Sequence, residues 1–348
     1  MSPFITLILL TSLILGTILT MSASHWMLAW MGLEMNTLAM LPLMAKSHCP
    51  RAAEATIKYF LAQAAAAATI LFASTANAWI TGEWDIYSTT NPFSTIAITM
   101  ALALKMGLAP MHMWVPQVMQ GLDLSTGLIL ATWQKLAPFA LIIQMAQFAP
   151  PQLLTALGLL SVIIGGWGGL NQTQLRKILA YSSIAHLGWI IMISQFNQQL
   201  AMLALTTYIF MTAATFLTFK LMSTTKINTL AMTWTKAPAM AAIASLTLLS
   251  LGGLPPLTGF MPKWLILQDL AAQGLPLTSV TLALSSLMSL YFYLRLCYTM
   301  ILTTAPNTNN SFTPWRLNTK KSSAPLATFM ASTLTLLPLT PLAQALMN

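Results

Sequence analysis

Charge is what this chain has least of. Only 6% of its 348 residues are Asp, Glu, Lys or Arg, and just six of those are acidic. A soluble domain carries roughly 25% charged residues, so this chain is too poor in charge to cover a water-facing surface. Two cysteines, Cys49 and Cys297, stand far apart and form no CxxC pair. That excludes a cysteine-ligated zinc or iron–sulfur site. No haem, flavin, nicotinamide or metal signature is present. The run Gly165-Gly166-Trp167-Gly168-Gly169 has no following Lys-Ser/Thr and no strand before it. It reads as close helix packing and not as a nucleotide loop. The N-terminal MSPFITLILLTSLILGTILT lacks the basic start and small-residue cleavage site of a signal peptide, and reads as a retained first helix.

What is present is apolar. The chain is 57% hydrophobic with a mean hydropathy of +0.73, which implies an all-α, polytopic membrane protein. Fifteen basic residues against six acidic give a formal charge of +9. In a soluble protein that excess would suggest nucleic acid. Here the basic residues fall in short loops and read as an orientation signal, with no nucleic-acid partner expected. The 24 methionines suit synthesis inside an organelle. Apolar stretches of spanning length lie at 3–21, 24–44, 52–80, 92–120, 124–146, 151–171, 175–194, 199–224, 238–272, 276–303 and 326–345, about eleven in all. Segment 304–324 is polar and reads as a surface linker before an isolated last helix.

Two of these stretches carry the same interruption. Gly107-Leu108-Ala109-Pro110-Met111-His112-Met113-Trp114-Val115-Pro116 returns 146 positions later as Gly253-Leu254-Pro255-Pro256-Leu257-Thr258-Gly259-Phe260-Met261-Pro262. Glycine, leucine and two prolines match in place, and Trp114 is matched by Phe260. Proline and glycine break the helical hydrogen-bond ladder where no water can satisfy the freed carbonyls. Spans 92–120 and 238–272 are therefore expected to be broken helices that each cross once. Paired breaks in corresponding positions point to a transport pathway. The same offset carries helix one onto six and helix five near ten, so each repeat holds five helices. Five is odd, and the second copy must enter with opposite orientation. The expected domains are a first repeat at 1–146, an inverted second repeat at 147–303, and a linker with one C-terminal helix at 304–348. Lys46, Arg51, Arg176, Lys177, Lys226, Lys236, Arg316, Lys320 and Lys321 fall in loops on one side, while the opposite loops hold Glu83 and Asp85. The positive-inside rule then puts the N-terminus inside and the C-terminus outside.

Five ionisable residues fall near mid-span: Glu34, Lys105, Lys135, His186 and Lys263. Each buried charge costs about 2.5–3.5 kcal/mol on insertion scales, so a structural role alone is an expensive reason to keep five. An internal ion pair of Glu34 with Lys105 is the structural alternative. One carboxylate cannot neutralise three lysines, and lysines in separate apolar helices can take and give protons. Lys105 precedes the first break, Lys263 follows the second, and His186 is a proton shuttle or a packed histidine. His112, within the first break, carries the same two readings. Lys58 and Lys220 lie toward the basic side and read as snorkelling side chains.

Trp30-Met31-Gly32-Leu33-Glu34-Met35-Asn36, Ala103-Leu104-Lys105-Met106-Gly107-Leu108-Ala109-Pro110, Trp133-Gln134-Lys135-Leu136-Ala137-Pro138, Ala180-Tyr181-Ser182-Ser183-Ile184-Ala185-His186 and Gly252-Gly253-Leu254-Pro255-Pro256 closely resemble the antiporter-like membrane subunits of mitochondrial NADH:ubiquinone oxidoreductase, respiratory complex I. The resemblance covers the whole chain. It implies two inverted five-helix repeats and a proton relay: Glu34 paired with Lys105, Lys135 as the central lysine, His186 bridging the half-channels, and Lys263 as the exit lysine. Bacterial relatives have about three further N-terminal helices, and this chain resembles the shorter animal form. The resemblance also implies no cofactor in this chain, with NADH, FMN, iron–sulfur clusters and ubiquinone in partner subunits. Expected partners are the other membrane and peripheral subunits, neighbouring antiporter-like subunits, and lipids such as cardiolipin. The implied location is the mitochondrial inner membrane, N-terminus in the matrix and C-terminus in the intermembrane space. Two rivals stay open: a self-standing cation/proton antiporter, and a structural subunit whose buried charges only pack.

Overall fold

Among the residues that the computed structural model describes (2–46, 48–301, 324–341 and 345, without the side chains of 235, 236 and 339) the chain is helical, with only isolated bridges at His25–Asp85 and Gln174–Lys226. The expected linker at 304–324, with Arg316, Lys320 and Lys321, lies outside the described residues except for Ala324, which opens the last helix. The helices are α1 (Pro3–Ser22), α2 (Trp26–Ala45), α3 (Pro50–Thr81), α4 (Pro92–Met106), α5 (Trp114–Gly121), α6 (Leu124–Ala131), α7 (Leu136–Met145), α8 (Pro151–Gly169), α9 (Leu175–Ser194), α10 (Gln198–Met222), α11 (Ile227–Ala231), α12 (Thr233–Lys236), α13 (Pro238–Gly252), α14 (Phe260–Ala272), α15 (Pro276–Ile301) and α16 (Ala324–Thr335).

Seven described segments are long and apolar enough to cross a membrane: α1, α3, α6–α7 together, α8, α9, α10 and α15. The other expected crossings are α2, the interrupted pairs α4/α5 and α13/α14, and the short α16. The outward faces are apolar: Phe4, Leu7, Leu15 and Ile18 on α1, and Leu277, Leu284 and Leu287 on α15, are all exposed. Faces of that extent suit lipid and not water.

The chain divides into two compact units, Met1–Ser161 with Ser194–Gln198, and Val162–Ile193 with Gln199–Asn348. In the first, α1 packs on α2 through Gly16 and Gly32. A Cβ added to either would lie within 3 Å of the other's carbonyl oxygen. In the second, the glycine run of α8 does what its composition suggests. A Cβ on Gly165 would meet the Ala185 backbone nitrogen at 2.7 Å, and one on Gly169 the Phe292 ring at 2.7 Å. These glycines bring α9, which carries His186, and α15 against α8.

Both breaks fold as the sequence predicts. Proline opens α4 and α13, and each ends at a glycine in the left-handed region: Gly107 at φ 80, ψ 39 and Gly253 at φ 82, ψ 38. Only glycine takes that conformation without a Cβ penalty. The peptides Ala109–Pro110 and Pro255–Pro256 are cis.

Two expectations need correction. The stretch 124–146 is not one regular helix. Thr132 ends α6 with a distorted helical backbone at φ −111, ψ −67, and Trp133–Lys135 form a turn of 3-10 helix before α7. Pro138 explains this, since its ring clashes with the carbonyl four residues back, that of Gln134, and it offers no N–H in return. The last helix is not isolated either. Leu326 and Met330 of α16 pack with Ala214 of α10, and the Thr258 hydroxyl, within the second break, donates to the Thr333 carbonyl at 2.7 Å.

Candidate functional site

A helix end leaves four carbonyls without helical partners. At the end of α4 all four are taken. Ala103 O accepts from the amides of Gly107 and Leu108, both at 2.9 Å. Leu104 O accepts from Gly107 N and from the Trp114 indole, both at 3.0 Å. Lys105 O accepts from the Gln63 carboxamide at 3.5 Å. Met106 O accepts from the Lys135 ammonium.

At the end of α13 the four corresponding carbonyls are also taken, two by backbone amides and two by side chains from other positions. Leu249 O and Ser250 O accept from Gly253 N, with Leu254 N also on Leu249 O. His186 Nε2 lies 3.2 Å from Leu251 O, with Lys263 Nζ at 3.5 Å from the same oxygen. Gly252 O accepts from Lys263 Nζ at 2.8 Å. Met106 and Gly252 are 146 positions apart, and each gives its carbonyl to a lysine. A cation there meets the negative end of the helix dipole as well as the oxygen.

In the first unit, Lys105 (5% exposed) and Lys135 (2% exposed) line one small cavity of about 10 Å³, room for about one water. Asn36, Tyr59, Gln63, Trp114 and Gln134 also line it. Lys135 reaches Met106 O because the 3-10 turn before Pro138 turns its side chain toward the break, and its ammonium sits 6.0 Å from the Trp114 ring. Lys105 Nζ and Glu34 Oε2 are both buried with no hydrogen-bond partner in the protein. The Glu34 charge acts on Lys105 through space, but the two do not close an ion pair. Among the described residues the salt bridge present is Lys58–Glu54, at the surface. The structural alternative of a packed Glu34–Lys105 pair therefore has no counterpart in this geometry.

In the second unit, His186 and Lys263 line a small cavity of about 20 Å³ with Tyr208, Thr207 and Trp189. His186 Nδ1 lies 2.7 Å from Ser182 O, so both ring nitrogens face carbonyl oxygens. The Tyr208 ring lies 5.7 Å from the imidazole. Lys263 lies across Gly253, where a Cβ would come within 2.9 Å of its Cδ and Nζ.

Glu34, Lys105 and Lys135 thus gather in one unit, and His186 and Lys263 in the other. His112 lies within the first break, with Nδ1 3.2 Å from Pro110 O. The sequence reading passed over Gln63 and gave Trp114 only as the aromatic matched by Phe260; both hold the first break. A glutamine within Ala62-Gln63-Ala64-Ala65 of an apolar helix was the available signal, because an amide in hydrocarbon needs a partner much as a charge does.

A family model for the transmembrane region of NADH:quinone oxidoreductase and Mrp antiporters matches residues 23–289, and one for the C-terminus of NADH dehydrogenase subunit 2 matches residues 290–344. NADH-ubiquinone oxidoreductase chain 2 of Carassius auratus is 66% identical over 341 residues, covering 98% of each chain. That of Salmo salar is 61% identical over 348 residues, covering 100% of each. Among solved structures, respiratory complex I from Thermus thermophilus contains a chain of 29% identity and TM-score 0.87, matched over 99% of this chain and 80% of that one. The Mrp complex from Dietzia sp. DQ12-45-1b contains one of 16% identity and TM-score 0.84, over 97% and 76%, which speaks to the fold.

Proposed function

This chain belongs to the family of NADH-ubiquinone oxidoreductase chain 2, and from that membership we propose how it conducts protons. It is a proton-translocating membrane subunit of respiratory complex I, coupled to electron transfer from NADH to ubiquinone. NADH oxidation, FMN, the iron–sulfur clusters and quinone reduction belong to partner subunits, and this chain binds no cofactor. Its neighbours are other membrane and peripheral subunits, with cardiolipin among the surrounding lipids. It lies in the mitochondrial inner membrane with its N-terminus in the matrix. Eleven crossings form two inverted five-helix repeats, and one helix follows them. The matched backbone of the two breaks supports that reading.

The observation that carries the mechanism is the paired contact of Lys135 with Met106 O and Lys263 with Gly252 O. The relay uses Glu34, Lys105 and Lys135 in the first unit and His186 and Lys263 in the second. Each capping lysine holds a proton against a helix end and releases it to water in the adjoining cavity, and Glu34 stabilises the cationic form of Lys105. The packing alternative rests on the same contacts, since an ammonium on an orphan carbonyl is also a helix cap.

The contacts decide which variants separate the two. Methionine removes the proton and the cap together, and losing a charged hydrogen bond costs about 1.5–3 kcal/mol. Lys→Met is then not neutral even for a packing role. Glutamine keeps an N–H donor but exchanges no proton. We expect Lys135→Gln and Lys263→Gln to give assembled complex with a lowered proton yield per NADH in reconstituted vesicles. Electron transfer to artificial acceptors upstream should survive. Unchanged yield in both variants would support packing.

A further inference from the structure

A second cavity of the first unit, of about 110 Å³, opens on its surface, lined by Arg51, Glu54, Ala55 and Lys58 of α3 and Gln117 and Gln120 of α5. The same two helices wall the Lys105 cavity. Along α3, Ala55 lines the outer cavity, and Tyr59 and Gln63 follow at i+4 intervals on the inner one. Along α5, Gln117 lines the outer cavity and Trp114, three residues back, the inner one. On both helices the step inward is one turn, about 5.4 Å. Between the two cavities stand Tyr59 and Trp114, edge to face with ring centroids 5.8 Å apart.

Depth agrees. The 32 residues of α3 span about 48 Å against about 30 Å of hydrocarbon, so roughly six residues project at each end of a centred, upright helix. Glu54 then stands at the membrane surface and Tyr59 inside the apolar layer. The Glu54 and Lys58 side chains are 63% and 39% exposed and pair at 2.5 Å. Together with two carboxamides they make a polar, solvent-exposed vestibule.

We propose that this vestibule is the aqueous mouth through which protons reach Lys105, and that the Tyr59–Trp114 pair is its gate. This rests on the proton-conduction reading. Trp114 also ties the gate to the break, because its indole N–H holds Leu104 O. When the rings part, a water column joins the two cavities; when they close, a proton on Lys105 is cut off from the surface.

The test places a cysteine at Gln117 in the assembled complex, with the exposed Cys49 replaced by serine. A quaternary-ammonium methanethiosulfonate is then applied from the side of the basic loops. A fixed cation in the mouth opposes proton uptake, and the labelled Gln117→Cys complex should lose about twofold or more of its proton yield per NADH against the unlabelled one. Thr56→Cys, on a face of α3 that lines a different surface cavity, should keep its yield after labelling. If Gln117→Cys does not assemble, Gln120→Cys takes its place. A cysteine that stays unreactive, or one fully labelled with unchanged yield, overturns the mouth. Lys105→Gln in the same vesicles separates the failures. A lowered yield there with full yield in the labelled mouth variant overturns the mouth alone. Unchanged yield in both overturns proton conduction and the mouth with it.

Discussion

Glu34 Oε2 touches no donor and Lys105 Nζ no acceptor, so each is held by its field and not by a bond. Glu34→Gln then changes charge without breaking a contact. We expect native-gel assembly at the level of the unaltered chain and slower coupled NADH oxidation. Unaltered coupled turnover and proton yield would remove Glu34 from the relay. Gly253 invites a sharper test. Alanine there must adopt a left-handed backbone, costing about 1–2 kcal/mol, and its methyl takes the place of the Lys263 stem. Gly253→Ala should lower both the assembly level and the proton yield per assembled complex. Gly274 has the same positive φ, at 73, with nothing near a Cβ. Gly274→Ala pays the strain alone and should lower assembly without changing the yield per complex. The relay candidates were legible at this scale because ionisable groups stand out in an apolar sequence. Their partners were not. A backbone carbonyl has no letter in the sequence, so nothing in the residue string announced that Lys135 meets Met106 O.

The breaks were readable because glycine and proline act locally: each states in one letter which backbone it forbids or permits. The turn at Trp133–Lys135 was equally local. Pro138 lies within an apolar run, and hydropathy alone carries such a run across as one helix, but a proline acts four residues upstream of itself. Pro138→Ala restores a donor for Gln134 O, worth about 1 kcal/mol, and lets α6 and α7 join. Straightening turns Lys135 away from Met106. The lost cap outweighs the regained donor, so the variant should assemble somewhat less well than the unaltered chain and translocate fewer protons per NADH in each complex that does assemble. Equal yield would show that the turn is incidental. The anchoring of the second break to α16 was not readable. Thr258 and Thr333 are 75 residues apart, and a threonine in an apolar helix usually bonds to its own preceding turn, as Thr247 does to Ala244 O.

For the whole molecule, the membrane class followed from composition, and orientation rests on the loops. Glu83 and Thr225 are both exposed, and the proposed inverted repeat would put them on opposite faces of the membrane. Cysteines at 83 and 225 in sealed vesicles should react with an impermeant reagent from opposite sides. Reaction from one side would sink the repeat. The helix count was less secure, because a crossing interrupted by a break, such as α4 with α5, does not register as one continuous apolar helix.

At both breaks every terminal carbonyl already has a donor, and two of those donors are the lysines that would carry the current. Such a helix end is an occupied socket. On the proposed relay, a proton that arrives beside Lys135 or Lys263 meets an oxygen that already holds one donor and has one lone pair left, so it would share that oxygen with the resident ammonium. Passage is then a succession of displacements, in which the arriving charge and the departing one share the carbonyl for a moment. Its pace is set by how long one ammonium keeps hold of one backbone oxygen.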